Sequence, residues 1–270
     1  MKVLSGSEIV GFIKERQAKQ VRNLKQSHHT EPRLAIVRCD EGNDVISTYV
    51  RLKQRYGADI GVDVEAYEET PETVLERIDN LTSRSDVHGV IVQLPVVPAD
   101  LTDELVNRVA PHQDVDGLGE NSAYDPATPM AILWLLAGYN IEPRNVALVG
   151  RGRLVGAPLE KMLRASGVEV SVYDLESEGS LKDFLQDKPL VVSATGTPGL
   201  ITSEMLSPGT AVVDASTASE DGVIRGDLAQ DVYDRDDLKV TPQRGGVGPL
   251  TVAALFDNVL RSARASTQQD

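Results

Sequence analysis

The chain has 270 residues, enough to bury a sizeable core as two domains or one large one. Its 41 acidic and 27 basic residues give a net charge of -14, which argues against nucleic acid or an anionic membrane as partner, since both need a positive footprint. One cysteine, Cys39, excludes an internal disulfide framework and suits a reducing compartment.

Residues 1–8 turn polar too early for a signal peptide, and no run approaches the roughly 18 apolar residues of a membrane span, so a cytoplasmic setting is expected. His28, His29, His88 and His112 show no ligand spacing with the cysteine or with one another, so no metal is expected; His28 and His29 read as a loop after a basic helix. In chain order, strand-like runs at 33–38, 60–67 and 87–93 alternate with helical patterns at 47–56, 73–84 and 101–109. This βαβα alternation predicts a parallel sheet covered on both faces.

Tyr49 and Lys53 are four apart on the helix 47–56 and share a face. A ring beside an amine suits a flat ligand that must exchange a proton, provided partial burial lowers the lysine pKa; a solvated helix lysine has the same spacing. Gln93 ends the strand 87–93, at the edge where open α/β sheets bind ligands. Asp116, within Asp114-Val115-Asp116-Gly117, reads either as a ligand group or as plain turn chemistry.

The turn-rich stretch 114–129 places a domain break near Gly117. A helix at 129–138 follows, with Thr128 as N-cap and Pro129 in its first position. Strand 145–149 then runs into Gly150-Arg151-Gly152-Arg153-Leu154-Val155-Gly156 and a helix at 158–166, the strand–glycine loop–helix setting of a dinucleotide site. Asp174 ends the strand 169–174, 18 residues after Gly156, where an acidic group accepts hydrogen bonds from a ribose, although a loop aspartate explains it too. Strands follow at 190–194 and 211–214, and Thr195 and Gly196, directly after the former, are counted with the cofactor-binding residues together with Gly150, Arg151, Gly152, Gly156 and Asp174.

Near the C-terminus, Gln243-Arg244-Gly245-Gly246-Val247-Gly248-Pro249-Leu250-Thr251 reads as a loop whose glycines let backbone approach a ligand. Val252, Leu255, Phe256, Val259 and Leu260 then fall on one helical face, predicted to return to the first domain, and the polar tail 266–270 is expected to fray.

Taken together and in order, Tyr49-x-x-x-Lys53, Val92-Gln93-Leu94-Pro95, Asp114-Val115-Asp116-Gly117, Val149-Gly150-Arg151 with Val155-Gly156-Ala157-Pro158, and Gly245-Gly246-Val247-Gly248-Pro249-Leu250-Thr251 resemble the methylenetetrahydrofolate dehydrogenase/cyclohydrolase family over nearly the whole chain. The resemblance implies an α/β fold of two domains around a cleft. A folate-binding catalytic domain would span 1–117 with the returning helix 251–265, and a Rossmann-like nucleotide domain 118–250. It implies a homodimer through the nucleotide domains, NADP or NAD as cofactor, and a tetrahydrofolate derivative as substrate. Hydride would pass from 5,10-methylenetetrahydrofolate to the nicotinamide, and water would open the methenyl product to 10-formyltetrahydrofolate. By the same resemblance Lys53 is the central catalytic residue, Gln93 tunes it, Asp116 meets the pterin and Tyr49 stacks on the folate rings. Gly245, Gly246, Val247, Gly248 and Pro249 line the folate site. The chain departs from the family pattern at Ile46, Gly152, Arg244 and Leu118-Gly119-Glu120-Asn121. A dehydrogenase-only enzyme and a catalytically silent nucleotide-binding regulator therefore stand as alternatives. Tyr173-Asp174-Leu175-Glu176, where a basic residue would meet a 2′-phosphate, inclines the reading towards NAD, while Arg151 and Arg153 leave NADP open.

Overall fold

The computed structural model describes residues 2–40, 42, 44–216, 218–220 and 223–267. The first half of the chain runs β1 (Lys2–Val3), α1 (Gly6–His28), β2 (Arg33–Arg38), α2 (Asp44–Ile60), β3 (Asp63–Glu68), α3 (Val74–Ser83), β4 (Gly89–Gln93) and α4 (Thr102–Arg108). The second runs α5 (Ala127–Gly138), β5 (Asn145–Val149), α6 (Gly156–Ala165), β6 (Glu169–Tyr173), α7 (Leu181–Leu185), β7 (Leu190–Ser193), β8 (Ala211–Asp214), β9 (Ala218–Glu220), β10 (Val223–Arg225), α8 (Gln230–Tyr233), β11 (Lys239–Val240) and α9 (Val247–Ser266).

The chain divides into two compact units, one of residues 11–127 and 252–270, the other of 1–10 and 128–251. Residues 118–127 thus group with the first half, ten residues beyond the break placed near Gly117.

In the first unit β2 lies between β3 and β4, parallel to both, and Arg38 is the ladder partner of Glu68 on one side and Gln93 on the other. All five residues of β4 are buried although it stands at the sheet edge, as expected of a parallel strand covered on both faces. Ala35, Val37, Val90 and Val92 pack on Ile78, Leu81, Leu105 and Val106 from α3 and α4. Phe256 of α9 stacks on Tyr56 of α2, ring centroids 5.1 Å apart. Gln17 is fully buried there yet satisfied, donating to the Ala253 carbonyl at 2.8 Å and accepting from the Tyr56 hydroxyl at 2.7 Å.

The second unit holds one parallel sheet in the order β1-β11-β8-β7-β5-β6, with β9 and β10 as a separate antiparallel pair. Chain order reverses around β5: β6 lies on one side of it and β7 on the other. That reversal is the switch point at which doubly wound sheets bind ligands.

Several boundaries differ from the sequence expectation. Ile60 closes α2 instead of opening a strand, because Gly61 takes φ +87 and ends the helix, and β3 starts at Asp63. Thr128 lies inside α5, which starts one residue earlier, so it is not the cap. The helix after the glycine loop starts at Gly156, two residues ahead of Pro158, and α9 starts at Val247. His28 is the last residue of α1 and only His29 lies beyond it. Of the tail expected to fray, residues 268–270 lie outside the described residues, and Ser266 closes α9. No helix among the described residues is long and apolar enough to cross a membrane.

Candidate active site and nucleotide loop

Helix α2 buries Ile46, Val50, Tyr56, Gly57 and Ile60, and this stripe fixes its rotation. Tyr49 and Lys53, one turn apart, fall beside the stripe and are half-buried. Lys53 Nζ donates to Gln93 Oε1 at 2.6 Å. Gln93 Nε2 donates to the Leu94 carbonyl at 3.0 Å, so the amide is held at both ends and its oxygen faces the lysine. Burial holds the Lys53 ammonium below the usual lysine value, against the pull of Asp116. Burial likewise pushes the Asp116 carboxyl up, against Lys53 and with the help of Asp114. Both ionisable heads are thus packed round by protein and biased towards their neutral forms, although each residue as a whole keeps some solvent exposure.

The sequence left Asp116 open between a ligand group and a turn residue, and the structure gives the turn to its neighbour Asp114. Asp114 does the turn chemistry: its carboxylate accepts from Gly117 N at 3.2 Å and Gly119 N at 2.8 Å, and its carbonyl accepts from Ser122 Oγ. Asp116 makes none of these bonds and shares its surroundings with Val92, Val106, Val109 and Leu118. Gly117 takes φ +71 with a would-be Cβ 2.7 Å from Pro126 N, so no other residue fits this turn without strain. From α9, fully buried Asn258 donates to the carbonyls of Val115 at 2.9 Å and Asp125 at 3.0 Å, clamping the loop that carries Asp116.

Arg38, next to Gln93 in the ladder, was not anticipated. It is 7% exposed, pairs through two bonds of 2.7 Å with Asp40, and donates to Ser47 of α2 and Glu68 of β3. It thereby ties the carboxyl ends of two strands to the first turn of the helix bearing Tyr49 and Lys53. An arginine directly after the apolar run 34–37, at the carboxyl end of the strand, was the available signal.

In the second unit the glycine loop between β5 and α6 lies at the switch point. Gly150 takes φ +94, and a Cβ there would stand 2.7 Å from the Ala194 carbonyl. At Gly156 a Cβ would stand 2.1 Å from the Gly150 carbonyl, so the helix start and the strand end meet only through glycine. Gly152 is exposed, and a Cβ there would meet only the Ala194 carbonyl oxygen, at 4.0 Å. This cradle at the start of a ten-residue helix fits the diphosphate of a dinucleotide. Beside it, Asp174 accepts on Oδ1 from Glu176 N at 3.1 Å and Ser177 Oγ at 3.0 Å. Thr195 and Gly196 sit in the loop after β7, and this loop is pinned by Asp227. That fully buried carboxylate accepts from Ser193 Oγ at 2.6 Å, Thr195 N at 2.8 Å and Thr197 N at 2.9 Å. Asp227 too was missed, being 32 residues from Thr195 in sequence and brought to it by the sheet.

The C-terminal glycines also act within this unit. Gly245 takes φ +80 and its carbonyl accepts from Ser7 N, while a Cβ on Gly6 would stand 2.0 Å from the Gly246 carbonyl. Val247, Gly248 and Pro249 belong to the first turn of α9, and Val247 is buried. No cluster of three or more potential metal ligands occurs among the described residues.

Residues 4–116 match the family model of the tetrahydrofolate dehydrogenase/cyclohydrolase catalytic domain, and residues 126–267 that of its NAD(P)-binding domain. The bifunctional protein FolD of Macrococcus caseolyticus is 32% identical, covering 99% of both chains. The crystal structure of the bifunctional methylenetetrahydrofolate dehydrogenase/cyclohydrolase FolD from Campylobacter jejuni superposes with a TM-score of 0.90 at 30% identity, over 98% of this chain and 99% of that one. The Trypanosoma brucei enzyme, complexed with NADP cofactor and inhibitor, gives 0.89 at 28% identity, over 98% and 97%. Two domain models that together span almost the whole sequence, and a relative matched end to end, make this chain a member of the tetrahydrofolate dehydrogenase/cyclohydrolase family.

Proposed function

We propose that the chain oxidises 5,10-methylenetetrahydrofolate to the methenyl compound with NAD(P) and then hydrolyses it to 10-formyltetrahydrofolate. The observation that carries this reading is the 2.6 Å bond from Lys53 Nζ to Gln93 Oε1, with Asp116 in the same electrostatic set, inside the unit matched by the catalytic-domain model. A lysine whose ammonium is destabilised by burial is available as a neutral amine, able to take a proton from a water attacking the methenyl carbon. Gln93 orients that amine through its own bond to Leu94. Asp116, biased to its protonated form, is able to donate as well as accept towards a pterin. Tyr49 offers a half-buried ring one turn away for stacking on a flat heterocycle.

Gly150, Arg151, Gly152 and Gly156 hold the cofactor diphosphate in this reading, with Asp174 at the ribose and Thr195 and Gly196 in the loop beyond. When bound, the nicotinamide supplies the hydride acceptor. Gly245, Gly246, Val247, Gly248 and Pro249 are assigned to the folate, Val247 through its backbone because its side chain is buried. The domain assignment, a homodimer through the nucleotide units and a cytoplasmic setting complete the proposal, supported by the family resemblance and, for the last, by the single cysteine.

The test is turnover of methylenetetrahydrofolate by the purified chain with each cofactor, following methenyl and formyl products separately. Both products are expected. Methenyl accumulation without hydrolysis would favour a dehydrogenase-only enzyme, and no turnover with either cofactor would refute the reading.

A further inference from the structure

NADP differs from NAD by a 2′-phosphate, and a site takes it by presenting a cation near the ribose while a carboxylate there selects the free hydroxyls. The glycine loop supplies the cation in sequence, at Arg151, but the structure shows it engaged. Arg151 Nε donates to Glu160 Oε2 at 2.9 Å. The other oxygen, Oε1, accepts from Arg164 Nε at 2.9 Å, and Arg164 Nη2 donates to the Val170 carbonyl at 2.7 Å. Glu160 lies on α6 and is only 8% exposed, so it is a fixed anchor rather than a mobile surface acid. Arg153 also interacts within the protein.

The end of β6 has the opposite charge. Gly150 N donates to the Tyr173 carbonyl at 2.8 Å, which brings Asp174 alongside the glycine loop. Asp174 is held by Glu176 N and Ser177 Oγ through Oδ1 only, and Glu176 adds a second carboxylate nearby. A 2′-phosphate placed here meets acidic groups and an arginine whose Nε is already bonded to a fixed glutamate, which offsets its charge.

Resting on the reading that this unit binds a nicotinamide dinucleotide, we propose that Glu160 is a specificity-determining residue: by holding Arg151 it withdraws the cation that a 2′-phosphate needs, and with Asp174 it sets the enzyme for NAD over NADP. Glu160 itself touches no substrate and acts through Arg151.

Calorimetric titration of the full chain with NAD+ and NADP+, without folate, reads this independently of turnover. NAD+ is expected to bind more tightly by about tenfold or more, the scale of one charge-assisted hydrogen bond. Glu160→Gln should move the ratio of dissociation constants towards NADP+ by about tenfold, and adding Arg151→Met should return it. Asp174→Arg should move it the same way, which keeps the proposal testable if Glu160→Gln does not fold. Tighter wild-type binding of NADP+, an unmoved ratio in Glu160→Gln, or a gain that survives removal of Arg151 would each overturn it. Wild type that binds neither nucleotide would refute the cofactor reading and this inference with it. Tight NADP+ binding would sink the inference alone.

Discussion

Lys53 Nζ and Gln93 Oε1 lie 2.6 Å apart although 40 residues separate them, one on α2 and the other at the end of β4. The amide is fixed from its far end by Leu94, so its oxygen is committed to the lysine before any ligand arrives. Gln93→Ala is therefore expected to lower methenyl hydrolysis by much of what loss of Lys53 costs. The Lys53→Ala/Gln93→Ala double variant should lose less than the product of the two single effects, since groups acting as a unit are not additive. Steady-state hydrolysis rates for the four proteins decide it, and multiplicative losses would mean that the two act separately.

Gly156 is where the start of α6 meets the glycine loop that follows β5. A methyl group there would have to displace the Gly150 carbonyl, backbone rather than a flexible side chain. Gly156→Ala should cost about 1–3 kcal/mol of stability as an overpacking change and weaken binding of both nicotinamide dinucleotides. Denaturant unfolding and cofactor titration check this; unchanged affinity for both would remove the loop from the site.

Asn258 serves two backbone carbonyls of the loop around Asp116, and alanine would leave both without that donor. A loss of about 1–3 kcal/mol is expected in urea unfolding of Asn258→Ala, together with slower hydrolysis because Asp116 loses its support. An unchanged unfolding midpoint would show that the clamp contributes nothing.

Asp214 gives a pH dependence of known sign. Burial raises its carboxyl from 3.8 to about 6, with Asp227 adding repulsion and the backbone N–H groups of Ser216, Leu228 and Asp227 opposing. Between those values the folded state holds more protons than the unfolded one. This group's contribution is full below the unfolded value and is lost as pH rises through the folded one, by about 3 kcal/mol in total. Unfolding free energies at pH 4 and pH 7 for wild type and Asp214→Asn isolate it from the other carboxylates. The wild type should lose more, or gain less, over that interval than the variant; parallel behaviour would contradict the shift.

The strands 33–38 and 145–149 were legible because apolar runs with clear glycine or polar boundaries leave little choice of period, and both match the structure to the residue. β1 and β11 were not, since two residues carry no periodicity and they form only by pairing with each other and with β8. Ile60 reads as strand by type but is claimed by α2, whose end is decided by Gly61. Glycines at 150 and 156 declared a loop in sequence, and the reason for each, close backbone approach, is visible only in space. Arg38, Asp227 and Asn258 stayed hidden because each acts on residues far away in sequence, through ladder neighbours or a returning helix that no local pattern records.

In the proposed function Lys53 works as a neutral amine in hydrolysis. Its lowered pKa, set by burial against the pull of Asp116, implies that hydrolysis rises with pH through a value below that of an ordinary lysine. The most direct measurement is the pH profile of methenyltetrahydrofolate hydrolysis, corrected for the uncatalysed reaction, in wild type and Lys53→Ala. The account predicts a rising limb in wild type and a fall in rate of about 10²–10⁴ in the variant, with that limb gone. Wild-type rates in Lys53→Ala, or an unchanged limb, would contradict it.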